Sequence, residues 1–184
     1  FKEHWELRGK HAFLSPSTWR WINYDDEALA NRWNAKMAID RGTKLHELAE
    51  MCINMGQKLP KSDKTLNRYV NDAIRYHMHA EQPLYYSDNC FGTADSICFR
   101  DGLLRIHDLK TGVTPAHIEQ LIVYAALFCL EYHERPGDIK IELRIYQSDE
   151  VNGLVAEADD ILPVMDKIIR FDDMINKMRE DEML

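Results

Sequence analysis

No apolar run in this chain approaches the roughly twenty residues needed to span a bilayer, and no basic-then-apolar leader opens it. Cysteine is scarce: Cys52, Cys90, Cys98 and Cys129 show no CxxC spacing. That points to reduced thiols of a cytosolic protein rather than a disulfide frame or a zinc knuckle. Positive charge is in the minority, 23 Lys and Arg against 31 Asp and Glu, for a formal net charge of -8. Such a balance argues against indiscriminate coating of nucleic acid. It does not exclude an enzyme acting on nucleic acid, because carboxylates that hold metals count toward the negative total. Internal repeats, linkers and low-complexity stretches are also missing. The start at Phe1 rather than Met leaves room for an upstream piece.

What remains is ordinary globular composition, 45% hydrophobic and 29% charged over 184 residues, enough for one domain with a real core across 1–184. An N-terminal helical part covers 15–80. Within it SPSTWRWIN from Ser15 reads as a short capped helix, and 27–55 as a longer one with a break expected near Gly42. A further helix starts at Ser62 or Asp63. Around it Lys58, Lys61, Lys64, Arg68 and Arg75 outnumber Asp63 and Asp72, making either a basic strip or a charged helix surface. Pro83 ends the helical region, and Leu84 to Tyr86 form a first short strand. Thr114-Pro115 opens an apolar helix, IKIELRIYQ alternates as a half-buried strand over 139–147, Asn152-Gly153 turns the chain, and a helix closes it over 159–182. The order predicts an α/β fold, a mixed central sheet flanked by helices.

The segment GTADSICFRDGLLRIHDLKTG, residues 92–112, carries the chemistry. Asp101-Gly102 is a two-residue hairpin turn, because both central positions need positive φ. Arg100 then faces Leu103, Phe99 faces Leu104, Ile97 faces Ile106, Asp95 faces Asp108 and Thr93 faces Lys110. From Phe99 outward these alternate pairs share one face, the better candidate for the core; Cys98, Arg105, Ser96 and His107 take the other. Two opposed aspartates moved toward a low-dielectric interior repel, and one must protonate unless a cation intervenes. A divalent ion beside Lys110 relieves the conflict. An exposed hairpin with scattered charges is the plain alternative.

Four short motifs stand in order: GTKLH (Gly42 to His46), GTAD (Gly92 to Asp95), DLKTG (Asp108 to Gly112) and QLIVY (Gln120 to Tyr124). Together they resemble the RecB-like branch of the PD-(D/E)XK nuclease superfamily, which includes lambda-exonuclease-like enzymes. Ser15-Pro16-Ser17 is similar to that family's N-terminal serine motif, and core motifs span 42–147. Two positions depart: Ala94 replaces the proline, and Asp108 stands where many members have Glu.

The resemblance implies a restriction-endonuclease-like core and a Mg2+ or Mn2+ cofactor held by His46, Asp95, Asp108 and the backbone carbonyl of Leu109. These are mostly hard oxygen donors suited to such ions. It makes Asp95, Asp108 and Lys110 catalytic, with Gln120, Tyr124, Thr111 and Ser15 as support or substrate contacts. The expected activity is DNA phosphodiester hydrolysis, as an exonuclease in recombination, repair or phage DNA processing. The expected location is the cytoplasm of a bacterium or of a phage-infected host. The rival readings are an inactive nuclease-fold binding or assembly subunit and a structure-selective endonuclease. No iron-sulfur cluster is expected, for want of the spaced cysteines. No phosphate loop ending GK[ST] is present, so unwinding would fall to a helicase or recombination partner.

Single residues read otherwise by themselves. His46 alone is more often a packed or surface histidine, and Glu50, one turn on, joins the metal site or stays a solvated helical Glu. Trp5, Trp19, Trp21 and Trp33 suit base stacking, but core packing and helix docking are the commoner use.

Overall fold

A computed structural model describes residues 2–182 and divides into two compact units, residues 1–41 and 42–184. The first unit holds two 3-10 helices, Trp5–Leu7 and Pro16–Asn23, and the opening turns of helix α1 (Asp26–Met55). Ser15 precedes the second of these, where Pro16 has the fixed φ a helix start requires. Phe13 and Trp33 meet edge to face, 5.2 Å between ring centres. Helix α1 continues through Gly42 without the expected break.

The second unit is an α/β fold. Helix α2 (Thr65–Arg75) precedes strands β1 (His79–Ser87), β2 (Cys90–Arg100) and β3 (Leu103–Leu109). Helix α3 (Glu119–Glu131) crosses over to β4 (Lys140–Gln147), followed by β5 (Glu150–Ala156) and α4 (Ala158–Glu182). The five strands lie in sequence order, and every neighbour is antiparallel except β3 and β4. This mixed sheet flanked by helices is compatible with a restriction-endonuclease-like core. Among the described residues no helix is long and apolar enough to cross a membrane, and all four cysteines are free thiols.

Both faces of the sheet are covered. Leu104, Ile106, Ile141 and Leu143 pack with Leu121, Ala125 and Phe128 of α3 and Ile161 and Ile168 of α4. On the other face Cys98, Leu109 and Tyr146 pack with Ala49, Cys52 and Ile53 of α1 and Tyr69, Val70 and Ala73 of α2. The face expected to be the less buried is therefore also core, with Ser96 and His107 fully enclosed. Several of its polar groups are paired there: Tyr146 Oη donates to Asp72 at 2.8 Å, and Arg105 bonds Glu142 at 2.9 Å while lying over the Tyr76 ring. Phe99, expected inward, is 39% exposed near the turn and rests on Phe128.

Four element boundaries differ from expectation. Strand β1 begins at His79 and contains Pro83, tolerated because β1 is a sheet edge. Helix α3 begins at Glu119 rather than at Thr114-Pro115. Asn152-Gly153 lies inside β5, and the turn is made by Ser148 and Asp149, both at positive φ. Helix α2 starts at Thr65 because Asp149 caps it from that turn, Oδ1 accepting from the Thr65 N–H at 2.9 Å and Oδ2 from Lys64 Nζ at 2.8 Å. These donors, Lys64 first, hold the Asp149 carboxyl down at about 2. Its ionised form thus stabilises the fold above the usual carboxylate range, and that contribution fades as pH falls toward 2. Asp149→Ala is expected to lower the melting temperature at neutral pH, with the deficit narrowing on acidification below about pH 4; thermal scans across that range check it.

Candidate metal and catalytic site

The hairpin of β2 and β3 positions the acids. Asp101 and Gly102 both sit at positive φ, and the register runs from Arg100–Leu103 to Ser96–His107 as the turn dictates. Pairing ends there. Thr93 instead pairs with Pro83 of β1, and the Lys110 N–H bonds Tyr146 of β4. The strands part beyond Ser96, and the Leu109 N–H turns to donate to Asp95 Oδ2 at 2.7 Å. Leu109 itself is buried.

Asp95 is pushed up to about 6, first by burial and then by the charge of Asp108; the Leu109 amide and His46 act against this. Asp108 is only 2% exposed. Lys110 Nζ lies 3.1 Å from its Oδ1 and 3.0 Å from its Oδ2, yet Oδ2 makes no well-formed hydrogen bond. Lys110 Nζ also donates to Gln120 Oε1 at 2.9 Å, which ties α3 to the end of β3.

His46 of α1 reaches this group, its Nδ1 3.7 Å from Asp95 Oδ2 and 3.9 Å from Glu81 Oε1. One ligand atom each of His46, Glu81 and Asp95 lies within 4.8 Å of the others. Two carboxylates and an imidazole so gathered, beside the buried carboxylate of Asp108, fit a hard divalent cation. Burial raises the Glu81 carboxyl, with His46 opposing and Glu50 adding to the shift. Glu50 is half-buried but outside the three-residue group.

Glu81 was not anticipated from the sequence. Its neighbours Ala80 and Gln82 pair with Ser96 and Ala94, so Glu81 stands across from Asp95. It adopts φ 48, unusual for a residue with a side chain. The available signal was an acid two residues before Pro83 at the height of GTAD, obscured because the strand was expected to begin only at Leu84.

The supporting residues divide. Tyr124 is half-buried, and its hydroxyl is raised chiefly by burial. Its ring lies against Gly92, where an added Cβ would sit 3.1 Å from Cε1; GTAD begins with glycine to make that room. Thr111 is exposed, and its Oγ1 would meet a Cβ on Gly42 at 2.7 Å, so GTKLH and DLKTG are in close contact. Ser15 lies in the N-terminal unit. It is buried, its Oγ 2.9 Å from Ser17 Oγ and its carbonyl accepting from Trp21 Nε1 at 2.8 Å.

No curated protein matches the chain. A family model described as a protein of unknown function (DUF2800) matches residues 78–173, from the start of β1 into α4. That span is just over half of the chain and takes in Glu81, Asp95, Asp108, Lys110, Gln120 and Tyr124, so the chain belongs to the DUF2800 family.

Proposed function

We propose that the protein is a Mg2+- or Mn2+-dependent DNA nuclease of the PD-(D/E)XK type, hydrolysing phosphodiester bonds from DNA ends. The observation that supports this reading is the gathering of His46, Glu81 and Asp95 beside the Asp108–Lys110 ion pair. His46, Glu81, Asp95 and Asp108 would hold the ion. When bound, it polarises a phosphate oxygen and acidifies a water. The protein's own groups supply the rest. The Lys110 ammonium has three N–H donors, of which Asp108 and Gln120 take two. The third is free for the attacking water or for the charge that builds on the phosphate. Gln120 fixes where that ammonium points, and Tyr124, one turn on along α3, packs against Gly92. An exonuclease, without a phosphate loop of its own, would rely on a partner for unwinding.

End-labelled linear DNA and closed circular DNA, each with Mn2+ or with EDTA, test the proposal. Linear DNA is expected to be degraded with Mn2+ alone, leaving 5′-phosphate ends, and circular DNA to persist. Cutting of circles would replace the exonuclease with an endonuclease. No cutting, with no Mn2+ uptake in calorimetry, would leave a binding or assembly subunit.

A further inference from the structure

In the N-terminal unit, an open cavity of about 560 Å³ is lined by Phe13, Trp19, Trp21, Tyr24, Arg20 and Arg32, with Ser17 and Thr18 between them. No carboxylate lines it, in a chain whose acids outnumber its bases. Trp19 is 57% exposed. Trp21 is held by its indole N–H on the Ser15 carbonyl, and Thr18 Oγ1 donates to the same carbonyl at 3.2 Å, so the wall is set before any ligand arrives. Neither arginine forms an ion pair among the described residues. Arg32 lies over the Tyr24 ring at 5.9 Å, and Arg20 is exposed.

We infer that this cavity binds an unpaired DNA strand, a base stacking on Trp19 and the flanking phosphates meeting Arg20 and Arg32. Flat π faces beside unpaired guanidiniums match a nucleotide on both counts. An apolar peptide would leave both charges unanswered, and a lone phosphate has no use for four rings. In a duplex the base faces are already stacked, which limits the cavity to single strands and frayed ends. The choice of DNA rests on the nuclease reading above; the stacking site itself does not.

Binding of fluorescein-labelled oligo(dT) is measured by anisotropy and tryptophan quenching in EDTA, where no cutting occurs, with oligo(rU) and a blunt duplex as comparison arms. Oligo(dT) is expected to bind and quench. Trp19→Ala and Arg20→Ala should each weaken binding at least about fivefold, while Trp19→Phe retains most of it. Both side chains are exposed, so unchanged circular dichroism is expected. Equal binding of oligo(rU) supports the stacking site and removes sugar selectivity. Binding untouched by Trp19→Ala and Arg20→Ala, or equal affinity for the duplex, overturns the inference. Loss of that binding effect with Mn2+-dependent cutting intact counts against this site alone. Intact binding without any cutting counts against the nuclease reading alone.

Discussion

Lys110→Ala is expected to bind Mn2+ at least as tightly as the wild type and to cut DNA about a thousandfold more slowly, whereas Asp108→Asn loses both metal and activity. The two outcomes follow from one ion pair. Lys110 Nζ lies 3.1 Å from Oδ1 and 3.0 Å from Oδ2 of Asp108. An incoming cation must share that carboxylate with the ammonium. Removing the ammonium frees a buried acid and eliminates a repelling charge, so the metal gains. What is lost is the donor aimed at water or phosphate, an effect of about 10²–10⁴ for a positioned proton-transfer or charge-stabilising group. Asp108→Asn removes a charged oxygen from the site itself. Even outer partners of metal ligands are worth about tenfold to a hundredfold in affinity, so a loss of at least about a hundredfold is expected. The same substitution removes the charge that helps raise Asp95. Calorimetry with Mn2+ alongside single-turnover cutting separates the cases. Lys110→Ala cutting at the wild-type rate would remove the lysine from the mechanism.

The parts of this site that could be read from sequence are those set by local chemistry. Asp101-Gly102 fixes its own turn type, and alternation on either side of it then fixes the register as far as Ser96 and His107. Helical spacing places His46 on the same helix as Ala49, Cys52 and Ile53. What escaped depends on distant partners. Glu81 takes a left-handed backbone beside an edge-strand proline, so no alternation announces it. The Ser148-Asp149 turn, where Asn152-Gly153 looked the better candidate, is held by bonds to Thr65 and Lys64, more than eighty positions away in sequence. The buried second face was hidden by its own polarity. Arg105, His107, Glu142 and Arg144 read as solvated, yet they lie under α2, where Asp72, Tyr76, Tyr146 and one another's charges answer them.

That polar face and the acid pair make opposite demands on pH, which leads to a second large effect. His107 is enclosed with its Nε2 unpartnered and its Nδ1 3.3 Å from Tyr146 Oη. Burial, then the charges of Arg144 and Arg105, lower it to about 3. Below its ordinary value near 6.5 the unfolded chain takes up a proton that the fold refuses. Stability is therefore lost as pH falls, by roughly 5 kcal/mol over the whole window. Asp95 runs the other way. Raised to about 6, it accepts a proton in the fold before the unfolded chain does, so stability is gained between about pH 6 and the ordinary carboxylate value. From about pH 6 to about pH 4 the two slopes nearly cancel in the metal-free wild type. Asp95→Asn should expose the histidine slope and lose roughly 2–3 kcal/mol over that interval relative to wild type. His107→Leu should expose the aspartate slope and gain a similar amount. Comparing slopes rather than absolute stabilities removes each substitution's packing cost. Urea unfolding at a series of pH values in EDTA measures it. Three parallel curves would mean that neither buried group holds the protonation state its surroundings impose.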